Sequence, residues 1–326
     1  MLEIIYLLLI VLVSLSVLIK SADYLVDGAA DLATFLRISP ILVGLTVVAF
    51  GTSLPEFIVS LFSIISGKAD ISIGNIVGSN IANIALIIGV CSLLTILKVK
   101  SKTLIYEFHF LIVSSFLFLL LADNNFIFGK DSFSLDRIDG IIFIIIFIFF
   151  LYYVFKSMNK EQKSTKKEFK EEFKHKNPLW KNLLLIVGGI LGVIIGGKLF
   201  IDFASRFALI VGFSDAFVGL AIAALGTSLP ELATSGIAAW KKHGDIAIGN
   251  IVGSNIFNIL FVLGTISLFK PIEVSRQIIA VDSMIMIFVT LLFLVFATKR
   301  KGISKKEGAV LLGIYLLYMG FLIWRL

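Results

Sequence analysis

Two stretches of otherwise apolar sequence carry the same six residues, Gly-Thr-Ser-Leu-Pro-Glu, at 51–56 and 226–231. Each residue type in them has a use in holding a cation. A proline inside a helix removes one backbone hydrogen bond and displaces the carbonyl four residues earlier, so Pro55 and Pro230 free oxygens near Gly51 and Gly226. The hydroxyls of Thr52, Ser53, Thr227 and Ser228 add neutral oxygens beside them. The carboxylates of Glu56 and Glu231 follow directly, with no lysine or arginine nearby in sequence. An ionised carboxylate in hydrocarbon is costly even after relaxation, and two at one site repel unless a cation lies between them. A protonated, hydrogen-bonded helix contact would serve for one isolated glutamate. A repeated pair beside neutral oxygen donors predicts a cation.

Further oxygens come from a second duplicated segment. Asn75, Ser79 and Asn83, like Asn250, Ser254 and Asn258, recur at i, i+4 and i+8, a spacing that drifts only about 80° round a helix and so forms a polar stripe able to face the glutamates. Gly74 with Gly78, and Gly249 with Gly253, are small-residue pairs that let another backbone approach closely. Asp70 and Asp245 stand at the start of these segments, where N-capping is expected. A donor set made wholly of oxygen suits Ca2+, which takes about six to eight oxygens in adaptable geometry, better than Mg2+ or a transition metal. Two carboxylates balance one Ca2+; the same oxygens could hold Na+, and oxygen chemistry fits either Na+ or a proton as the exchanging partner.

The elements that must position these groups are membrane helices. The chain of 326 residues is 58% hydrophobic and 16% charged, with a mean hydropathy of +1.03, too apolar for a soluble domain. Apolar runs long enough to cross roughly 30 Å of hydrocarbon fall at 2–19, 40–66, 71–97, 103–122, 138–156, 180–201, 216–240, 246–269, 277–298 and 307–324, which makes ten expected spans. The weakly amphipathic stretch 20–38 either prolongs the first span or lies at the interface. The first span lacks the basic flank and cleavage site of a signal peptide, so it is expected to be retained. Cys91 is a lone cysteine, which excludes an internal disulfide and thiolate chemistry. His109, His175 and His243 lack metal-ligand spacing.

Ten spans put both termini on one face. The loops on that face hold 7 Lys and Arg and the opposite loops 21, so the positive-inside rule places both termini outside. The net charge of +7 thus reflects membrane topology rather than nucleic-acid binding. The longest loop, 157–179, is then cytosolic; its KKEFKEEFKHK run reads as a solvated connector, with a lipid-binding surface helix as the alternative.

An internal repeat fixes the expected architecture. Residues 43–60 match 218–235 at 11 of 18 positions and 70–84 match 245–259 at 13 of 15, all at an offset of 175. The offset also maps the first span onto the sixth and Asp27 onto Asp202. Five spans per half is odd, so the second half must enter the membrane from the other side, and equivalent residues converge near the midplane. The expected fold is all-α, ten transmembrane helices in two inverted five-helix repeats, 1–156 and 180–326, joined by the loop 157–179.

The two duplicated segments closely resemble the alpha repeats of the sodium/calcium exchanger family, within the cation/Ca2+ exchanger superfamily. The resemblance implies a prokaryotic-type antiporter of the plasma membrane that exchanges Na+ for Ca2+ by alternating access, with membrane lipid as its surroundings, no obligatory protein partner and no cofactor beyond the transported ions. It implies Glu56 and Glu231 as principal Ca2+ ligands, supported by Thr52 and Thr227. Ser53, Ser228, Ser79, Ser254 and the carbonyls of Ala49 and Ala224 would complete flanking Na+ positions, with Asn83 a polar neighbour. Asn258 stands where K+-dependent and some archaeal members carry Asp, which lowers the site's charge and disfavours K+ co-transport. The loop 157–179 is too short for the cytosolic regulatory domains of animal exchangers. Spans one and six would slide across the core, and Gly188, Gly189, Gly192, Gly196 and Gly197 fit either smooth packing there or ordinary membrane-helix composition. The competing classes are a Ca2+/H+ antiporter and a cation channel; a membrane enzyme lacks an HExxH or Ser/His cluster.

Overall fold

The computed structural model describes residues 2–98, 104–123, 133–168, 177–212, 226–299 and 302–325. Runs rich in Leu, Ile and Phe give the long helices: α1 (Leu2–Leu36), α6 (Arg137–Glu168), α7 (Leu179–Ile210) and α11 (Lys305–Arg325). Helix α1 does not stop where its apolar run ends near 19; the amphipathic stretch prolongs it, giving about 50 Å at 1.5 Å per residue. Between α1 and α6 lie α2 (Pro40–Thr52), α3 (Leu54–Ile65), α4 (Ala69–Leu94) and α5 (Leu104–Ala122). The second half continues with α8 (Leu229–Trp240), α9 (Gly244–Phe269) and α10 (Ile278–Lys299). Seven of these helices are long and apolar enough to cross a membrane, and α2 with α3, bent by 41° at Ser53, makes an eighth. Residues 216–225, the first part of the expected seventh span, lie outside the described residues. The expected loop at 157–179 is shorter than its sequence suggests, because α6 carries on as helix to Glu168.

The fold is all-helical apart from two tiny ladders that hydropathy does not announce. Strand β1 (Leu97–Lys98), just after α4, pairs antiparallel with β4 (Gly302–Ile303), just before α11. Likewise β3 (Ile272–Glu273), just after α9, pairs with β2 (Ser134–Leu135), just before α6. Close glycine contacts repeat this interlacing: Gly89 on α4 meets Gly308 on α11, and Gly264 on α9 meets Gly140 on α6. Helices of the two halves therefore share one continuous hydrophobic core.

Depth in that core is graded. The most apolar window of α9 is 94% buried inside the protein and that of α4 is 78% buried, against 17% for α1 and 28% for α7. Helices α1 and α7 pack on each other antiparallel and mostly face outward. Gly189, Gly192 and Gly196 stand directly against Leu25, Ser21 and Leu18 of α1, with no room for a side chain. Gly188 faces nothing among the described residues and Gly197 lies loosely beside Pro230. Three of the five glycines thus serve close packing, and the other two do not.

Helix ends recur at the same offset with different chemistry. Helices α3 and α7 end in the left-handed region at Gly67 (φ 74°) and Gly212 (φ 100°). The equivalent ends of α8 and α1 use Lys242 (φ 65°) and Arg37 (φ 57°). A side chain with a Cβ costs roughly 1–2 kcal/mol in this conformation, so a basic residue there answers a demand other than backbone geometry.

Candidate ion-binding site

The duplicated hexapeptides build the interior as their sequence demands. Ser53 (φ −86°, ψ 4°) separates α2 from α3 and Ser228 (φ −88°, ψ 4°) stands immediately before α8, and a proline sits in the first turn of the helix that follows each. That turn suits proline, whose missing N–H has no partner to lose there. Glu56 and Glu231 fall in the same first turns, where the positive end of the helix dipole favours a carboxylate. Both are fully buried.

Hydrogen bonds tie each half's carboxylate to serines. Ser79 Oγ donates to Glu56 Oε1 at 3.2 Å and lies 2.9 Å from Ser228 Oγ. Ser254 Oγ donates to Glu231 Oε1 at 3.3 Å, and Ser53 Oγ, from the opposite half, donates to the same oxygen at 2.9 Å. The two carboxylates lie within electrostatic reach of each other. Each keeps one oxygen, Oε2, without a hydrogen-bond partner among the described residues, as do the side-chain carbonyls of Asn83 and Asn258. These four unpartnered buried oxygens, on equivalent residues of the two halves, are of the carboxylate and amide type that a hard cation takes.

The polar stripes turn toward the opposite half. Thr52 Oγ1 donates to Asn250 Oδ1 at 3.1 Å and Thr227 Oγ1 to Asn75 Oδ1 at 3.0 Å. Asn250 Nδ2 donates to Ser235 Oγ at 2.9 Å and Asn75 Nδ2 to Ser60 Oγ at 3.1 Å. The carbonyl of Ala49 accepts from Thr52 Oγ1 at 3.4 Å and Ser254 Oγ at 3.5 Å. Ala224 lies outside the described residues. Among the rest, Glu56, Thr52, Ser53, Ser79, Asn83, Ser228, Glu231, Ser254 and Asn258 are all buried, and Thr227 is joined to them through Asn75.

Asp70 and Asp245 do not cap their helices. The N-caps of α4 and α9 are Lys68 and His243, and each aspartate stands at the second helical position, inside the first turn. Gly249 meets Ile41 and Leu45 of α2, and Gly253 meets Leu45 and Ala49, so this pair does admit another backbone. The segment equivalent to α2 that would face Gly74 and Gly78 lies outside the described residues.

Two features were not foreseen. Helix α4 widens to a π-helical stretch at Ala82–Ile87 and α9 at Phe257–Leu263, each beginning one residue before the stripe's last asparagine; such stretches interrupt the regular backbone ladder and gather at functional positions. A collar of rings, Phe50, Phe57, Phe147, Phe257 and Phe261, lies beside Asn258, with Phe257 and Phe261 stacked at 4.6 Å. The equivalents of Phe257 and Phe261 are Ala82 and Leu86, so the repeat does not duplicate these two rings. Its signal was the FNILF run at 257–261, which reads as plain apolar sequence.

A multi-pass helical protein with a broken helix and two buried carboxylates in a polar interior has the build of a membrane transporter. Residues 6–156 and 181–324 match the family described as sodium/calcium exchanger protein, and the chain belongs to that family, whose members exchange cations across membranes and are not enzymes. It is 38% identical to CaxA of Alkalimonas amylolytica, over 94% of this chain and 96% of that one. It is 32% identical to the sodium/calcium exchanger MaX1 of Methanosarcina acetivorans, over 95% and 97%. The solved structure of the sodium-calcium exchanger NCX_Mj soaked with zero Na+ and Ca2+ superposes with a TM-score of 0.81 at 30% identity, covering 98% of this chain and 99% of that one.

Proposed function

We propose that the protein exchanges Na+ for Ca2+ across the plasma membrane by alternating access, with Glu56 and Glu231 as the central ligands. The observation that carries this reading is the pair of fully buried carboxylates, each with one oxygen free of hydrogen bonds. Two buried negative charges balance one Ca2+ and resist crossing the dry interior empty. The site must therefore refill with cations before it turns, and this requirement is the physical basis of exchange rather than leak. Thr52 and Thr227 support the Ca2+ position. Ser53, Ser79, Ser228, Ser254 and the carbonyls of Ala49 and Ala224 serve flanking Na+ positions, with Asn83 and Asn258 contributing neutral oxygens. Asn258 in place of a carboxylate keeps the site near two negative charges, which disfavours K+ co-transport.

The architecture in this reading is ten spans in two inverted repeats, with both termini outside. The 21 to 7 division of Lys and Arg supports that orientation. So do the helix ends: the left-handed positions assigned to the outer face carry Gly67 and Gly212, while those assigned to the inner face carry Arg37 and Lys242. Helices α1 and α7, joined face to face by glycines, slide as a unit across the core and expose the site to each side in turn.

Ca2+ uptake into proteoliposomes under Na+, K+ and H+ gradients imposed one at a time tests the reading. An outward Na+ gradient should drive uptake. Uptake driven by a pH gradient and indifferent to Na+ would replace Na+ by protons as the counter-ion.

A further inference from the structure

The side chains of Asn80 and Asn255 were not among the expected site residues, yet they lie at the centre of the molecule on α4 and α9, fully or almost fully buried. Their bonds cross between halves. Asn80 Nδ2 donates to the backbone carbonyl of Asn255 at 3.3 Å, and Asn255 Nδ2 to that of Asn80 at 3.1 Å. Each amide is thereby held with its Oδ1 turned away from the partner's backbone. Each Oδ1 then receives one donor: Asn80 Oδ1 accepts from Asn258 Nδ2 at 3.1 Å, and Asn255 Oδ1 accepts from Asn83 Nδ2 at 2.8 Å.

An amide has a donor end and an acceptor end. With one Nδ2 N–H of Asn83 and of Asn258 engaged at the clamp, each amide is oriented with its oxygen end turned away from the clamp, and in both residues that Oδ1 is buried without a hydrogen-bond partner among the described residues. Rotating either amide by half a turn would set oxygen against oxygen at the clamp and a donor where a cation belongs. Asn83 is one helical turn beyond Ser79, and Asn258 one turn beyond Ser254, the serines that bond the two carboxylates. We infer that Asn80 and Asn255 are positioning residues for cation binding: each fixes the amide of the opposite half's asparagine so that its carbonyl oxygen faces the ions. This rests on the reading of Asn83 and Asn258 as site residues.

Crossed pairing supplies the test, because it names which residue acts through which. Radiolabelled Ca2+ self-exchange in proteoliposomes, which needs no counter-ion gradient, gives the half-saturating Ca2+ concentration, the Na+ concentration that halves exchange, and the maximal rate. Asn80→Leu should weaken one or both of the apparent affinities about fivefold, as expected for one hydrogen bond, and leave the maximal rate within about twofold. The same substitution should add nothing on an Asn258→Ala background and its full effect on an Asn83→Ala background; Asn255→Leu should show the reverse. Asn80→Ser, too short to reach Asn258 and gentler on packing, should behave as Asn80→Leu does and serves if the leucine variant fails to fold. Equal losses on both alanine backgrounds would reduce Asn80 to a structural contact and overturn the inference. If Asn258→Ala and Asn83→Ala themselves leave both affinities unchanged, the reading of the asparagines as site residues falls, and the inference with it.

Discussion

The two most buried long helices, α4 and α9, and the outward-facing pair α1 and α7 solve opposite problems. Helices α4 and α9 carry asparagines and serines through the middle of the protein, and each of their asparagines bonds a group on the other half. Helices α1 and α7 carry few polar groups at depth and meet through glycines that leave a smooth seam. Fixed hydrogen bonds hold α4 and α9 in one register across the halves, whereas the glycine seam lets α1 and α7 pack closely on each other as one outward-facing pair. In the proposed exchange cycle, ion recognition and motion thus fall to separate helices.

The comparison breaks most readily at the carboxylates. Glu56→Gln or Glu231→Gln removes one of two negative charges while keeping the side chain's size, and should lower Ca2+ transport by about 100-fold or more, consistent with losing a charge-assisted buried contact worth roughly 3–5 kcal/mol. Thermal unfolding of the purified variants should change little. Near-normal exchange in either variant would remove the core from ion recognition.

The seam is the next target. A leucine at Gly189 or Gly196 has nowhere to go except into α1, so it should push the pair apart and slow transport about tenfold without altering half-saturating Ca2+. Gly188, one residue along on α7, faces nothing among the described residues. Gly188→Ala should leave transport unchanged and stabilise the helix by up to about 1 kcal/mol, read as a rise in unfolding temperature. Equal slowing by both substitutions would mean that α7 is disturbed as a helix rather than at its seam with α1.

Much of this contrast was legible in the residues. The hexapeptide, with proline and glutamate inside an apolar run, announced both the break at Ser53 and the burial of Glu56, because a bilayer leaves few other uses for them. The offset of 175 placed the equivalent group in the other half. What pattern could not give was partnership. Thr52 with Asn250, or Asn83 with Asn255, are contacts across about 170 residues or more of chain, and no periodicity within one helix specifies what faces it. The π-helical stretches were hidden for a related reason, since a single extra residue in a turn leaves composition untouched. The N-cap reading of Asp70 failed because helix α4 starts at Ala69, two residues earlier than that reading requires.

The smallest expected effect lies where the two regions touch. Lys241, at the C-terminal end of α8, forms ion pairs with Asp23 at 2.5 Å and Asp27 at 2.7 Å, both on α1. The equivalent positions at the other end of the molecule are Ser66, Lys198 and Asp202, which cannot form this arrangement. Burial pulls the Lys241 ammonium down, but the hydrogen bonds and charges of Asp23 and Asp27 outweigh it and hold its pKa above the ordinary lysine value. A lysine whose folded pKa is raised contributes stability below its unfolded pKa of about 10.4, and that contribution is lost as pH rises through the folded value. The groups are partly exposed, so each pair is worth no more than about 1 kcal/mol. Because the tie exists at one end only, Lys241→Gln should shift the balance between inward-open and outward-open forms by about fivefold or less, read as a change in the ratio of half-saturating Ca2+ measured from the two sides. A ratio unchanged by the substitution, and insensitive to salt in the wild type, would mean that the outer pair slides unrestrained at both ends.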